Sequence, residues 1–185
     1  MARGIIIFGS AGSGKTTLGK MVAERLGFPY FDLDDYIWRT DTDKPFTVMY
    51  SREDKIGRLM KDISKGNHFV MAGSMSSFHT SFDALFDLAI HITAPVEIRT
   101  ARINKREYEI YGDRILEGGD MYNEHQRFVD VSARYDFDGS PSMKIHEQWA
   151  NSLPCKVIRL RGEDDLKKNT NTIVNTYMKL FMNRI

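Results

Sequence analysis

A glycine-rich run near the start of the chain constrains its fold more than any other feature. It reads GSAGSGKT over residues 9–16, which satisfies the phosphate-binding pattern G-x-x-x-x-G-K-[ST] at every fixed position. A continuous apolar run at residues 4–8 precedes it, and apolar residues at helical spacing follow it over residues 17–26. Strand, glycine loop and helix in this order are the context that the pattern requires. The sequence therefore predicts a nucleoside triphosphate site, and a glycine-rich turn that matches by chance is the weaker alternative.

Each residue type in this run suits a polyphosphate. Glycines allow successive backbone N–H groups to point inward without a Cβ clash, and the N-terminus of the following helix adds partial positive charge. We expect Lys15 to reach the β- and γ-phosphates of ATP, and the Thr16 hydroxyl to ligate the Mg²⁺ that accompanies them. The predicted nucleotide-binding residues of the loop are Gly9, Ser10, Ala11, Gly12, Ser13, Gly14, Lys15, Thr16 and Thr17.

Composition limits the remaining possibilities. A length of 185 residues with 42% hydrophobic and 28% charged residues predicts one domain, residues 1–185, with a sizeable core. The formal net charge of +1 makes a nucleic-acid partner unlikely and gives no attraction to an anionic membrane. A single cysteine, Cys155, excludes an internal disulfide framework and is expected to be a buried structural thiol. Because no apolar stretch approaches the length of a membrane span or a signal peptide, we expect a cytoplasmic protein.

Strand-like and helical patterns alternate along the chain. Strands are predicted at residues 4–8, 29–31, 68–72, 88–92 and 156–160, and helices at 15–26, 51–65, 95–111, 120–135, 142–151 and 164–182. This alternation predicts an α/β fold in three layers, with a five-stranded parallel sheet and helices on both faces. Residues 106–153 lack a strand and are predicted to form a helical lid, for which Gly112, Gly118 and Gly119 supply the joints.

Three carboxylates follow the second predicted strand. Asp32, Asp34 and Asp35 lie at the carboxyl edge of the sheet, where ligands bind in open α/β folds. Alternation along an extended chain would put Asp32 and Asp34 on one side, so that one holds Mg²⁺ and the other accepts a proton from a substrate hydroxyl. The alternative is that Asp34 or Asp35 caps a helix beginning at Tyr36, and both roles can coexist.

Missing signatures narrow the class of P-loop protein. No acidic residue ends the strand at residues 68–72, which runs instead into Gly73 and Ser74. The tetrapeptide at residues 104–107 mimics a guanine-specificity motif, but it ends in glutamate and lies in a helical pattern. The signature of transporter ATPases is absent, and the chain is short for a motor ATPase. Small P-loop kinases remain.

The run at residues 9–16, the pair Asp32-x-Asp34, the Gly73-Ser74 turn and the helix containing Arg102 together resemble the shikimate kinase and adenylate kinase group. The resemblance implies that Asp34 contacts the acceptor hydroxyl and that Asp32 assists Mg²⁺. It also implies that the Gly73-Ser74 turn lines the acceptor pocket.

The same resemblance assigns roles to arginines. Arg102 matches the arginine that stacks on adenine, and Arg106 or Arg114 is the lid arginine that neutralises the transferred phosphate. Residues 161–164 match a segment that wraps the adenine with backbone atoms. Residues 50–53 match the acceptor motif of shikimate kinases only loosely, and the usual arginine-proline lid sequence is missing, so shikimate is disfavoured as the acceptor.

Other polar residues carry weaker expectations. Arg52 is predicted to bind a carboxylate or phosphate of the acceptor, with a solvated surface arginine as an equal alternative. Arg99 is expected on an exposed helix face. The five histidines show no metal-ligand spacing and are predicted to be structural: His68, His79, His91, His125 and His146.

These observations predict Mg²⁺-dependent transfer of the γ-phosphoryl group of ATP to a small acceptor, either a hydroxylated metabolite, a nucleoside or a nucleoside monophosphate. Lys15, Asp34 and a lid arginine, Arg106 or Arg114, are the predicted catalytic residues. The alternative is an ATP-dependent switch or ATPase that acts on a macromolecular partner. Phosphorylation of nucleic-acid ends is a third possibility, which the small net charge disfavours. A monomer and a homodimer remain equally open.

Overall fold

A parallel sheet forms the centre of the computed structural model, which describes residues 2–75 and 77–182. Its strands are β1 (Arg3–Phe8), β2 (Tyr30–Asp32), β3 (His68–Ala72), β4 (Phe86–Thr93) and β5 (Lys156–Arg161). Their order in space is β2-β3-β1-β4-β5, and every neighbouring pair is parallel. The predicted α/β fold with a five-stranded parallel sheet is confirmed.

Helices connect the strands. They are α1 (Lys15–Leu26), α2 (Asp34–Ile37), α3 (Arg52–Ile63), α4 (Val96–Tyr111), α5 (Tyr122–Ala133), α6 (Met143–Ser152) and α7 (Leu166–Met182). Short 3₁₀ turns lie at His79–Ser81, Asp83–Leu85, Gly112–Ile115 and Arg134–Asp136. The predicted helices are confirmed to within a few residues at each end. A helix near α2 was considered only as an alternative beginning at Tyr36, and the 3₁₀ turns were not predicted. No helix within the described ranges is long and apolar enough to cross a membrane.

The two faces of the sheet carry separate cores. Ile6 and Phe8 of β1 point to one face, where they belong to the cluster that includes Leu59 of α3 and Trp149 of α6. The alternate residues of β1 point to the other face, where the helices that supply apolar side chains are α1 and α7. Burying each such side chain contributes about 1.5–3 kcal/mol. Because β1 is buried on both faces, its sequence is a continuous apolar run, and the three-layer prediction is confirmed.

Arg99 lies in the interior, and the expectation that it is exposed was wrong. Its side chain is 1% exposed and forms an ion pair of 2.8 Å with Asp136. Its guanidinium also donates to the carbonyl oxygens of Ala94, at 2.6 Å, and Ser132, at 3.0 Å. The helical pattern around Arg99 could not show that the 3₁₀ turn at Arg134–Asp136 folds over this side of α4.

The predicted lid, residues 106–153, spans elements with different surroundings. Its first residues continue α4, and α5 packs against α4. Its last helix, α6, buries Trp149 and Ala150 in the core beside the sheet. Closure of this segment over a ligand stays a prediction. Cys155 is half-buried against the same core, and burial raises the pKa of its thiol to about 11, which agrees with the structural role expected for it.

Candidate nucleotide and acceptor site

The loop between β1 and α1 has a backbone that only glycine can supply at two points. Gly9 has φ 151°, and an added Cβ would lie 2.0 Å from the Ile92 carbonyl oxygen. Gly12 has φ 73°, and its Cβ would lie 2.5 Å from the Arg99 carbonyl oxygen. Gly14 precedes α1 and gives its first turn no side-chain cap. The first amides of the helix are thus left without a side-chain acceptor from this position, an arrangement that fits a bound phosphate.

Lys15 is the first residue of α1, directly after this loop. Its Nζ donates to the Ser10 carbonyl oxygen at 2.6 Å. Burial lowers the pKa of Lys15 to about 8, against the opposing charges of Asp34 and Asp32, and the positive charge of Arg106 lowers it further. These electrostatic effects fall off steeply with distance, so the four side chains share one region of the site.

The Asp32 carboxylate accepts three hydrogen bonds. Its Oδ2 accepts from the Thr16 hydroxyl at 3.3 Å and from the Tyr30 hydroxyl at 3.1 Å. Its Oδ1 accepts from the backbone N–H of Asp34 at 3.2 Å. A hydroxyl beside a carboxylate is the donor set that suits Mg²⁺, which usually takes its other ligands from phosphate and water. Residues 2–75 and 77–182 contain no cluster of three or more His, Cys, Asp or Glu that could hold a metal ion, so a metal here would need ligands from phosphate and water.

Asp34 lies near Asp32 for a reason that the sequence did not indicate. Strand β2 ends at Asp32 and the chain turns into α2, which begins at Asp34, so the alternation expected along an extended chain was wrong. The alternative, a helix beginning at Tyr36 and capped by Asp34 or Asp35, is correct in having a helix here, but the helix begins at Asp34 and Leu33 precedes it without a side-chain cap. Burial among surrounding protein atoms, followed by the charge of Asp32, raises the pKa of Asp34. Asp34 and the next residue, Asp35, are both exposed to solvent, and burial of part of the side chain followed by the charge of Asp32 raises the pKa of Asp35 as well. The two carboxyl groups differ in their cations, because Asp34 faces Lys15 and Arg106 whereas Asp35 faces Lys20.

The three arginines predicted near the nucleotide have different surroundings. Arg102 donates to the carbonyl oxygens of Gly12 at 3.3 Å and Gly162 at 3.0 Å, which joins the P-loop to the loop after β5. Arg106 acts electrostatically on the lysine of the P-loop and on the carboxyl at the start of α2. Arg114 instead forms a two-point ion pair with Asp120 at the exposed surface, at 2.9 and 2.8 Å.

The acceptor-side residues meet at the end of β3. Gly73 has φ 141°, and its N–H donates to the Ile7 carbonyl oxygen at 3.0 Å. Ser74 follows it, with its Oγ 3.0 Å from His146 Nε2. Arg52 begins α3, and its Nε donates to the Ser77 carbonyl oxygen at 3.1 Å. Arg52 thus contacts the segment that follows Gly73 and Ser74, and binding of an acceptor by these three residues stays a prediction.

A second contact joins the acceptor side to the predicted lid. Lys44, in the loop between α2 and α3, donates to the Asp120 carbonyl oxygen at 2.7 Å. Its ammonium also lies 3.0 Å from a carboxylate oxygen of Glu124. The loop and the residues around the start of α5 thus lie side by side.

Comparison with known proteins identifies the family. The model of a family described as an AAA domain matches residues 5–128, about two thirds of the chain, including the P-loop and the acidic segment after β2. The chain belongs to this AAA-domain family. An uncharacterised protein of Bacillus subtilis (strain 168), YqaC, is 31% identical to it over 171 residues, which are 91% of this chain and 93% of the relative.

Several relatives carry the names of kinases. The adenylate kinase isoenzyme 6 homolog of Caenorhabditis elegans is 28% identical over 138 residues, covering 65% of this chain and 74% of the relative. The crystal structure of shikimate kinase from Bacteroides thetaiotaomicron superimposes with a TM-score of 0.58 at 16% identity, covering 95% of this chain and 98% of that one. The resemblance to the shikimate kinase and adenylate kinase group is confirmed at the level of family and fold.

The structure also shows polar residues that the sequence analysis did not connect with the site. Tyr30 holds Asp32, and a hydrogen-bonded path leads from Ser74 through His146 and Tyr135 into the core. These residues come from a strand, a loop, a helix and a 3₁₀ turn that are far apart in the chain. No spacing in the sequence could have indicated the path.

Proposed function

We propose that this protein transfers the γ-phosphoryl group of ATP, with Mg²⁺, to a hydroxyl group of a small molecule. The observation that carries the proposal is the link from the Thr16 hydroxyl of the P-loop through the Asp32 carboxylate to the backbone N–H of Asp34, with hydrogen bonds of 3.3 and 3.2 Å. The charges of Lys15 and Arg106 also lower the pKa of Asp34, against burial and Asp32. The cations Lys15 and Arg106 can stabilise negative charge on the transferring phosphoryl group. Asp34, a carboxylate with a raised pKa, can remove the proton of an acceptor hydroxyl. A nucleoside monophosphate already presents an anionic oxygen and would not need that carboxylate.

In the proposed reaction the acceptor oxygen forms a bond to the γ-phosphorus, and the bond from that phosphorus to the bridging β,γ-oxygen breaks. The electron pair of the broken bond leaves with ADP, and Asp34 takes the proton of the acceptor hydroxyl. The raised pKa of Asp34 makes it a stronger base than an ordinary aspartate, because burial and the charge of Asp32 disfavour its ionised form.

The remaining residues bind and align the reactants. The P-loop amides and Lys15 hold the phosphates, and Arg102 with residues 161–164 holds the adenine. The Thr16 hydroxyl and the Asp32 carboxylate hold Mg²⁺, which neutralises phosphate charge when bound. Arg106 adds positive charge at the transferred group, and closure of the lid, residues 106–153, excludes water.

On the acceptor side we assign binding to Arg52, Gly73 and Ser74. The support for this assignment is that Gly73 and Ser74 follow the carboxyl end of β3, beside the end of β2 that carries the carboxylates, and that Arg52 donates to Ser77 of the same segment. Arg114 pairs with Asp120 at the surface, and this pairing favours Arg106 as the lid arginine.

The experiment measures ADP release with ATP and Mg²⁺ in the presence of nucleosides, nucleoside monophosphates, gluconate and shikimate, with Lys15→Ala as the blank. We expect one class of hydroxylated acceptor to stimulate ADP release, and Asp34→Asn to lower the stimulated rate by about 10²–10⁴-fold with little change in ATP affinity. Asp35→Asn is the matched control, because it removes an adjacent carboxylate that faces Lys20 instead of Lys15 and Arg106, and it should leave the rate nearly unchanged.

Uniform slow hydrolysis with every acceptor would contradict the proposal and favour a nucleotide-dependent switch. An Asp34→Asn variant as active as the wild type would remove the assigned base. Loss of ATP affinity in the same variant would assign Asp34 to nucleotide binding instead of acceptor chemistry.

A further inference from the structure

A continuous path of hydrogen bonds runs through the core from Glu147 to Ser74. Glu147 Oε1 lies 2.8 Å from His91 Nδ1, and the other ring nitrogen of His91 lies 3.0 Å from the Tyr135 hydroxyl. That hydroxyl lies 2.8 Å from His146 Nδ1, and His146 Nε2 lies 3.0 Å from Ser74 Oγ. The path thus joins α6 and β4 to the loop that follows β3.

The middle of the path is closed to water. His91 and Tyr135 are each 1% exposed, and His146 is fully buried. Phe8 stacks on the ring of His91 with centroids 5.0 Å apart and meets the ring of His146 edge-on. Burial lowers the pKa of His91 and lowers that of His146 to about 3, so each ring carries a single proton at neutral pH. Burial also raises the pKa of Tyr135, which keeps its hydroxyl protonated.

The charge on Glu147 decides the direction of every bond in the path. Arg159 pairs with Glu147 at 2.6 Å and lowers its pKa, so the carboxylate is ionised and can only accept. His91 must therefore place its single proton on Nδ1, which leaves Nε2 to accept from the Tyr135 hydroxyl. The Tyr135 oxygen then accepts from Nδ1–H of His146.

At the far end, His146 is left with an unprotonated Nε2. That nitrogen can only accept, so the Ser74 hydroxyl donates its hydrogen to it. The positive charge of Lys15 contributes to the low pKa of His146, which indicates that this end of the path lies within electrostatic range of the phosphate-binding loop. The hydrogen of the Ser74 hydroxyl is committed to the core, and a molecule that contacts Ser74 Oγ must supply the hydrogen of that bond.

We propose that the path from Glu147 makes Ser74 a hydrogen-bond acceptor toward the substrate, and that the site therefore selects molecules that present a hydroxyl group there over molecules that present a carboxylate, phosphate or carbonyl. This inference rests on the proposed function and narrows its acceptor to a polyhydroxylated molecule, with one hydroxyl at Asp34 and another at Ser74. His146, Tyr135 and His91 are positioning residues that act through Ser74.

The first test reads the tautomers directly and needs no turnover. Long-range ¹H–¹⁵N correlation spectra of the histidine rings should show Nδ1–H and unprotonated Nε2 for both His91 and His146 in the wild type. In Glu147→Gln the fixed acceptor is gone, because an amide both donates and accepts, and the two rings should become mixtures of tautomers. Arg159→Gln is the matched control, since it keeps the Glu147 carboxylate and should keep both tautomers. Should Glu147→Gln fail to fold, Tyr135→Phe breaks the path at its centre with little change in volume.

The second test compares acceptors. Each ribonucleoside or hydroxylated acid that the wild type phosphorylates is paired with analogues in which one hydroxyl is replaced by fluorine, which cannot donate. At one position other than the phosphorylated hydroxyl, replacing the hydroxyl by fluorine should lower kcat/KM by about tenfold or more in the wild type. The same replacement should lower kcat/KM by less in Glu147→Gln and Tyr135→Phe.

The two proposals fail in different ways. A His146 ring protonated on Nε2 in the wild type would overturn the inference whether or not turnover is seen. Equal kcat/KM for the hydroxyl and fluorine analogues at every position would overturn it as well. Absence of turnover with all acceptors would instead count against the proposed function.

Discussion

The ammonium group of Lys15 lies 2.6 Å from the carbonyl oxygen of Ser10 and donates a hydrogen bond to this residue of the P-loop. This position buries the ammonium and lowers the pKa of Lys15 to about 8. The free protein should therefore lose the positive charge of Lys15 as the pH rises through about 8, and its affinity for ATP should fall over the same range. Titration calorimetry with ATP between about pH 7 and about pH 9.5 measures this change.

Lys15→Arg provides the control for that titration. An arginine stays charged throughout this range, so the variant should bind ATP with little dependence on pH, whatever its absolute affinity. Equal pH dependence in the two proteins would show that another group controls nucleotide binding.

A second prediction concerns the acid side of the pH profile. Burial and the charge of Asp32 both raise the pKa of Asp34, and the base acts only when it is ionised. The rate should therefore begin to fall, as the pH is lowered, at a higher pH than an ordinary aspartate would give. Asp32→Asn removes one of the two causes, so the acid limb should move to lower pH even though the rate itself falls. The pH dependence of kcat/KM measures both effects, and a limb that stays in place would assign it to a different group.

The buried ion pair of Arg99 and Asp136 predicts a large effect on stability. Arg99→Ala leaves the Asp136 carboxylate without its partner and empties a buried volume, so the free energy of unfolding should fall by about 3–5 kcal/mol. Urea denaturation measures this change. Arg134→Ala is the control, because the Arg134–Asp138 pair is exposed on both sides and its loss should be small by comparison. Similar losses in the two variants would contradict the interior role of Arg99.

A fourth prediction uses two glycines with opposite surroundings. A Cβ on Gly162 would lie 2.0 Å from the Ser13 carbonyl oxygen, so Gly162→Ala must displace the P-loop and should weaken ATP binding by about tenfold or more. Gly57 lies on the exposed side of α3, and nothing stands within 4 Å of its added Cβ. Gly57→Ala should leave ATP binding unchanged and stabilise the protein by about 0.5–1 kcal/mol. ATP affinity and thermal unfolding of both variants test the contrast, and unchanged binding in Gly162→Ala would oppose it.

The parts of the fold that local pattern controls were predictable. Strand β1 appears in the sequence as an unbroken apolar run because both of its faces are buried, and α1 follows a glycine loop with a known motif. Helix α2 was raised only as an alternative that begins at Tyr36, because four residues are too few to show a helical period. Its absence from the predicted elements also led to the wrong geometry for Asp34.

The site was predictable only where one segment builds it. The P-loop is a single run, whereas the path from Glu147 to Ser74 joins residues up to 72 positions apart, and only the folded sheet brings them together. Arg99 was placed at the surface because its partner, Asp136, lies 37 residues away. The roles assigned to Asp34, Arg52, Arg102, Arg106 and Arg114, and the closure of residues 106–153, stay predictions for the experiments above.

The order of the strands has a consequence for how the chain acquires its fold during synthesis. Strand β1 is synthesised before the other strands of this sheet and lies at its centre, and its neighbours β3 and β4 follow only after residue 67. Strand β5 is the last of the five, and Gly162 follows it with an N–H that donates to the Thr93 carbonyl oxygen at 2.6 Å beside the P-loop. A nascent chain that ends before residue 156 therefore contains the whole P-loop motif but lacks the Gly162 side of the proposed nucleotide pocket and leaves the edge of β4 unpaired. Bound as proposed, ATP would stabilise the sheet only after residue 162 has been synthesised, so until then the partial sheet depends on the packing of its apolar strands.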